Sequence, residues 1–202
     1  MVDRLLFFSD AVVAIAITVL AIDLPIPIGA TASQFWSSVK QNGGHYAAFA
    51  ISFLVIASAW NHHHNTFRYT IDIDARLRTL NTAWLLTIVL NPFATRLLTS
   101  KVQETIAVHA FRFGFYSLVQ ALGSALLIAM LRHMVSHGQA PGMPKAVASR
   151  TTWASLGLLV GFGASIPVFF ATTNAWVIWF IGPLVVGQVA ARRPGARQTK
   201  GE

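Results

Sequence analysis

Long apolar stretches separated by short polar segments make up most of this chain. There are six of them, each about 18 to 27 residues long, and an α-helix needs about 20 residues to cross a bilayer. The hydrocarbon interior offers the backbone no hydrogen-bond partners, so each stretch is predicted to be a helix. The spans are expected at about 4–24, 44–63, 79–98, 105–131, 152–170 and 174–191.

Proline residues mark where these helices end or bend. Pro25 and Pro27 follow the first stretch and are expected to end its helix, because the proline ring removes a backbone donor. Pro92 and Pro167 lie inside spans, where packing against neighbouring helices accommodates a kink. Only a few residues around 172–174 separate the fifth and sixth spans, which predicts a tight helical hairpin.

Composition supports the same class of protein. Hydrophobic residues make up 54% of the chain and charged residues only 11%, which lies outside the range of soluble domains. The chain has no cysteine, so disulfides and thiolate metal sites are excluded. We therefore predict an all-α integral membrane protein with six transmembrane helices per subunit. Residues 1–191 form one transmembrane domain, and 192–202 form a basic cytoplasmic tail.

The net charge of +8 reports orientation rather than a nucleic-acid partner. With both termini inside, eleven of the fifteen basic residues lie on the cytoplasmic side and four on the other, as the positive-inside rule requires. These charges also favour contact with anionic lipid headgroups. We expect a multi-pass protein of the cell (plasma) membrane with both termini cytoplasmic. The four residues on the outer side are Lys40, Arg96, Lys101 and Arg112.

A cleavable signal peptide is an alternative interpretation of the N-terminus, because Ala30, Thr31 and Ala32 resemble a cleavage site. The apolar stretch before them is longer than the usual core of about 7 to 15 residues, and Ser9 and Asp10 interrupt its start. We expect the first helix to be retained.

An aliphatic stripe follows the charged start of the first span. Arg4 and Asp10 lie at its mouth, and charge at membrane depth usually faces protein or water. Ile15, Val19 and Ile22 recur at i, i+4 and i+7 and share one helical face. Repeated around a symmetry axis, this stripe would line a narrow hydrophobic constriction. The same spacing also suits a face that contacts lipid or a neighbouring helix.

Two residues with side-chain oxygens lie beside the stripe. Thr18 lies about 60° from Ile15 on a helical wheel, so its hydroxyl is a candidate polar layer at the edge of the stripe. Asp23 follows Ile22 at the outer end, where a ring of carboxylates would concentrate cations. The chain has no Thr-Val-Gly-Tyr-Gly motif, so a filter of backbone carbonyls is not expected.

The first hundred residues resemble the endosomal/lysosomal potassium channel family in its prokaryotic, single-repeat form. The resemblance rests on Arg4 and Phe8-Ser9-Asp10, followed by Ala14-Ile-Ala-Ile-Thr18. Supporting matches are Trp60-Asn-His-His63, Asp74, Asn81 and Pro92-Phe93. Beyond about residue 101 only the hydropathy pattern is compatible.

The resemblance implies a modestly selective potassium channel in which the first helix of each of four identical subunits lines a central pore. Carried over by position, Ile15, Val19 and Ile22 become the constriction, Thr18 a polar layer, and Asp23 part of the outer vestibule. The resemblance further implies a polar network that braces the pore helix. Its members are expected to be Arg4, Phe8, Ser9, Asp10, Trp60, His63, Asp74 and Asn81.

Arg4 fits this network only if the first turn of the helix frays or bends, because ideal helical projection places it near the stripe. The implied ligands are permeant potassium ions, with no cofactor. The implied partners are three further copies of the chain and membrane lipids.

Other functions find less support in the sequence. His62, His63 and His64 point about 100° apart on a helix and cannot converge on one metal ion from a single chain, which leaves zinc only through subunit contacts. A polar interface cluster is expected instead. No catalytic triad, carboxylate pair or phosphate loop is present, so we do not expect an enzyme. A secondary transporter would show paired interrupted helices in two halves. A transporter, a proton-permeable protein and a non-conducting scaffold remain the alternatives.

Overall fold

The structure is a computed structural model that describes residues 2–100 and 105–192. Lys101 and residues 193–202, which hold most of the expected basic tail, lie outside the described residues. Regular structure in the described part is helical throughout. The helices are α1 Val2–Ile22, α2 Ala32–Gln41, α3 Gly43–Phe67, α4 Ala75–Thr99, α5 Ile106–Ser136, α6 Lys145–Phe169 and α7 Ile178–Ala191, with a 3-10 turn at Thr173–Val177 before α7.

Five segments of the described chain are long and apolar enough to cross a membrane: α1, α3, α5, α6 and Thr173–Ala190. The expected third span, 79–98, lies within α4, which has 25 residues. Asn81, Thr87 and Asn91 interrupt its apolar sequence, and all three side chains are buried against other helices. The all-helical membrane architecture is therefore confirmed, while a sixth span in α4 stays a prediction.

Polar caps begin α2 and α4, and α1 ends at Ile22, three residues before Pro25. Asp74 accepts a hydrogen bond from the backbone N–H of Leu77 at 2.7 Å and so begins α4. Thr31 does the same for α2, accepting from the N–H of Gln34 at 3.3 Å. α2 has no counterpart among the expected elements, because it has only 10 residues and most of them are polar. The predicted hairpin near 172–174 contains the 3-10 turn.

The buried apolar residues form two clusters. One joins α1, α3, α4 and the C-terminal half of α5, and includes Leu20, Ile56 and Trp84. The other joins α5, α6 and α7, and includes Phe162 and Trp179. α5 contributes to both clusters and packs on α4 and α6, so it links the half that contains α1 to the half that contains α7.

Two further kinds of contact join neighbouring helices. Asn91 and Gln120 exchange a reciprocal pair of amide hydrogen bonds, each 3.1 Å long, between α4 and α5. Between α6 and α7, backbones meet directly at Gly157, Gly161 and Gly182. Small residues permit this close approach in membrane helices.

Candidate functional site

α1 has a buried face and an exposed face. Ser9, Val13, Ala16 and Leu20 recur at i, i+4, i+7 and i+11 and are buried against α3 and α4. On another side of the helix the side chains of the predicted stripe are open: Ile15 is 62% exposed, Val19 40% and Ile22 78%. Thr18 is exposed beside them. The structure therefore places these four residues on one unpacked face.

Thr18 keeps an acceptor available on this face. Its hydroxyl donates a hydrogen bond to the backbone carbonyl of Ile15 at 2.8 Å. That bond uses the only hydrogen of the hydroxyl and leaves oxygen lone pairs free. The arrangement can offer one weak oxygen ligand per chain between aliphatic layers.

Arg4 and Phe8 are not buried with the polar network, although they line a crevice that Asn81 also lines. Both are exposed, and α1 is already a regular helix from Val2, so the first turn does not bend Arg4 inward. Positions 4, 8 and 15 are spaced by four and seven residues and therefore share the exposed face. Arg4 and Phe8 line a crevice of about 390 Å³ together with Arg78 and Thr82 of α4.

Ser9, Asn81 and His63 form a buried chain of hydrogen bonds across α1, α4 and α3. Asn81 Nδ2 donates to Ser9 Oγ at 3.1 Å, and Asn81 Oδ1 lies 2.7 Å from His63 Nε2. Because the Asn81 amide nitrogen serves Ser9, its oxygen must accept, so His63 carries a proton on Nε2. Ser9 Oγ in turn donates to the carbonyl of Leu5 at 2.8 Å.

Aromatic rings fix the orientation of His63. Its imidazole lies between Phe67 and Trp84, with ring centroids 4.3 Å and 4.2 Å away and nearly parallel to the Trp84 ring. His63 and Trp84 are fully buried. The histidine therefore acts as a rigid strut between α3 and α4 that presents Nε2 to Asn81.

Asp10 makes a second, partly exposed link between α1 and α3. Its Oδ1 accepts a hydrogen bond from Trp60 Nε1 at 2.8 Å, and its Oδ2 lies 3.7 Å from His64 Nδ1. The two links lie on adjacent sides of α1. Together they tie the first turns of the helix to α3 and α4.

Asp74 lies apart from this network, contrary to its expected place in it. Its carboxylate accepts from the N–H of Leu77, and Oδ2 lies 2.7 Å from His133 Nε2 on α5. The backbone hydrogen bond from Leu77, and after it the hydrogen bond with His133, lower the pKa of Asp74 below its ordinary value. Asp74 begins α4 two helical turns before Asn81, so it joins α4 to α5 and not to α1.

Asp23 follows the end of α1 and has a partner that the sequence pattern does not indicate. Its carboxylate lies 3.2 Å from Arg96 Nη1, in the last turn of α4. Both side chains reach solvent, and both line a pocket of about 200 Å³ that also contains His45 and Thr95. The negative charge assigned to the outer vestibule is therefore paired within the chain.

A wholly apolar crevice lies beside the exposed face of α1. It has a volume of about 280 Å³ and lies between α1 and α4. Its walls are Val12, Ile15, Ala16, Val19, Val89 and Pro92. Two residues of the stripe thus open sideways toward α4 as well as outward.

Two histidines of the run have partners within the chain. Among the described residues, no three His, Cys, Asp or Glu side chains lie close enough to hold an ion. His63 is used by Asn81, and His64 faces Asp10.

The contacts missed from sequence involve Arg96, His64 and His133. Their partners are 73, 54 and 59 positions away in the chain. The only available signal for Arg96 was that the predicted topology placed it on the same side of the membrane as Asp23.

Comparisons with known proteins cover up to 94% of the chain. The family model of the endosomal/lysosomal potassium channel TMEM175 matches residues 4–92. A potassium channel of Streptomyces collinus is 32% identical over 86% of this chain and 88% of its own length. The mouse endosomal/lysosomal proton channel TMEM175 is 29% identical over 54% of this chain, which spans 22% of that protein.

Solved structures show the same fold at lower identity. The crystal structure of a lysosomal potassium-selective channel TMEM175 homologue from Chamaesiphon minutus superposes with a TM-score of 0.72 at 20% identity. The match covers 94% of this chain and 97% of that one. A variant of the potassium channel MtTMEM175, crystallised in complex with a nanobody fusion protein, gives a TM-score of 0.67 at 18% identity, covering 94% of each chain.

Proposed function

Because the chain belongs to the endosomal/lysosomal potassium channel TMEM175 family, we propose that it is a multi-pass membrane channel that conducts potassium passively through a neck of aliphatic side chains. The family is one of channels and not of enzymes. The observation that carries the proposal is the exposed face of α1, on which Ile15, Thr18, Val19 and Ile22 lie together.

An aliphatic neck distinguishes cations by the cost of removing their water. It offers few ligands to replace a hydration shell, so weakly hydrated ions such as potassium, rubidium and caesium pass at lower cost than sodium. Thr18 supplies one oxygen per subunit, far fewer than a carbonyl filter provides. Selectivity for potassium over sodium is therefore present but modest.

One chain alone leaves the face of α1 open, so several copies must meet to enclose a pathway. Closed cyclic symmetry is the usual arrangement for identical subunits. We propose a homotetramer with α1 of each subunit at the axis and α4 as a sixth span. In it, the crevice between α1 and α4 receives apolar side chains of the neighbouring subunit. Both termini lie in the cytoplasm and the protein resides in the plasma membrane.

The polar contacts at the base of α1 hold the helix at a fixed distance from the axis. Ser9 is joined through Asn81 to His63, and Asp10 is joined to Trp60. Leaving such groups unpaired in a membrane costs free energy, so these contacts specify one rotation of α1. Only this rotation turns Ile15 toward the axis and Ser9 away from it.

Reversal potentials of purified protein in planar bilayers test the function. Under bi-ionic potassium and sodium conditions we expect a cation current that favours potassium, with little chloride permeation. Equal chloride permeability, or no current, would contradict the proposal. Saturating flux in liposomes would indicate a transporter, and an interior pH change without potassium flux would indicate a proton pathway.

Two matched variants test the neck itself. Ile15→Asn places an amide on the exposed face, supports a water column there, and should admit sodium. Ile17→Asn changes a half-buried position about 200° away and should disturb packing without changing ion preference. A larger loss of selectivity in Ile17→Asn would show that another face of α1 lines the pathway.

A further inference from the structure

Two opposite charges meet at the outer end of α1, and only one of them belongs to that helix. Asp23 directly follows Ile22, the last residue of α1. Arg96 lies in the last turn of α4, and its Nη1 is 3.2 Å from Asp23 Oδ1. The arginine side chain is 72% exposed and the aspartate 37%, so both remain in contact with water.

The electrostatics of the helix ends explain why the pair forms. The C-terminus of a helix carries a partial negative charge from its unpaired carbonyls. Asp23 adds a full negative charge to the negative end of α1, which is unfavourable without a nearby cation. Arg96 compensates both this carboxylate and the carbonyls at the end of α4.

We propose that Arg96 sets the cation current through this channel, because its charge cancels the negative potential that Asp23 would otherwise impose on the outer mouth. The inference rests on the proposed function of α1 as the pore-lining helix. In the assembled channel, each unpaired Asp23 would add to a ring of carboxylates, which raises local cation concentration. Arg96 holds that ring near neutrality, so the outer mouth attracts cations only weakly.

Charge variants of the pair distinguish this role from a merely structural one. Arg96→Gln frees Asp23 and should raise unitary potassium conductance about twofold in 0.1 M KCl. Asp23→Asn leaves Arg96 unpaired and should lower conductance by a similar factor. The double variant removes both charges and should conduct nearly as the unmodified protein does.

The dependence on salt provides the second readout. At 1 M KCl the Debye length is only about 3 Å, so the conductances of all four proteins should converge. If the pair were only a structural contact, both single variants would change conductance in the same direction, and the change would persist at high salt. Either of those results would overturn the inference while potassium selectivity remained intact.

Because the chain has no native cysteine, a single cysteine at position 96 can be labelled with either a positive or a negative group. Arg96→Cys can be modified from outside with a cationic or an anionic methanethiosulfonate reagent of similar size. The cationic adduct should lower the conductance of Arg96→Cys toward that of the wild-type protein. The anionic adduct should raise it above that of the unlabelled Arg96→Cys variant. Equal effects of the two adducts would contradict an electrostatic role. An unmodified channel that passes no potassium would contradict the proposed function instead.

Discussion

Asn81 connects three helices through one amide group. It donates to Ser9 on α1 and accepts from His63 on α3, and it is 2% exposed. A leucine of similar size would fill the space but satisfy neither partner. Leaving buried polar groups unpaired costs about 1–3 kcal/mol for each group. The Asn81 side chain therefore joins the start of α1 to both α3 and α4.

We expect Asn81→Leu to lower the thermal unfolding midpoint of the detergent-solubilised oligomer, and to reduce the oligomeric fraction in size-exclusion chromatography. Asn61→Leu is the matched control, since Asn61 makes its amide hydrogen bond with Asn65 on an exposed part of α3. It should leave both measurements nearly unchanged. Equal effects of the two variants would mean that the buried chain of hydrogen bonds does not stabilise α1.

The sequence predicts the members of this site better than it predicts their partners. Few polar residues occur inside apolar helices, so Ser9, His63 and Asn81 had few possible partners other than each other. Arg4 failed this reasoning because its side chain is long and can reach the headgroup region, where no buried partner is needed. Arg96 is exposed, and the partner of an exposed charge depends on helix rotation, which the hydropathy pattern does not specify.

Helix α7 packs on α6 through glycines that leave no room for a side chain. A Cβ atom built on Gly182 would lie 2.5 Å from the Cα of Gly161. Gly163 lies on α6, as Gly161 does, but a Cβ atom built on Gly163 would have no neighbour within 4 Å. The two glycines therefore differ in packing, while both lie inside helices.

We expect Gly182→Ala to separate α6 from α7 and to lower the thermal unfolding midpoint clearly. Gly163→Ala should be neutral or stabilising, because alanine favours helix by up to about 1 kcal/mol over glycine. Thermal unfolding followed by tryptophan fluorescence compares them, since Trp179 lies at this contact. A destabilisation by Gly163→Ala as large as that by Gly182→Ala would show that helix crossing does not depend on the small residues.

The start of α4 gives the protein a pH dependence at low pH. The pKa of Asp74 is lowered, so its carboxylate stabilises the folded state fully above the ordinary value of 3.8. That stabilisation is lost as the pH falls from there through the lowered pKa. Asp74→Asn retains an acceptor for the N–H of Leu77 but no carboxylate for His133.

We expect Asp74→Asn to unfold at lower temperature than the unmodified protein at pH 7, with the difference shrinking below about pH 4. Thermal midpoints measured across this range provide the test. Asp3→Asn, which removes an exposed carboxylate in the first turn of α1, serves as control. A difference between Asp74→Asn and the unmodified protein that stays constant with pH would contradict this role of the carboxylate.

Helices were predictable where the apolar pattern is long, and their ends were not. α3 continues to Phe67, four residues past the expected end, because its last turns are polar yet buried at His63 and Thr66. α2 is too short and too polar for a hydropathy pattern to indicate, and its beginning depends on the cap at Thr31. Both cases reflect tertiary contacts and local caps that lie outside hydrophobic periodicity.

For the molecule as a whole, exposure alone does not separate a pore from a lipid-facing surface. Ile15 on α1 is 62% exposed and Leu184 on α7 is 66% exposed. Both are aliphatic and both lie on helices that are candidate membrane spans. In the proposed assembly α1 faces the conducting axis and α7 faces lipid, so water and ions would reach Ile15 and not Leu184.

Block of single-cysteine channels by silver ions tests the pore assignment most directly, because the chain has no cysteine of its own. We expect external Ag⁺ to block the potassium current of Ile15→Cys and Ile22→Cys, since ions on the conduction path reach both thiols. The potassium current of Leu184→Cys should not change when the same concentration of Ag⁺ is applied. Block of Leu184→Cys without block of either α1 variant would contradict the account and place the pathway away from α1.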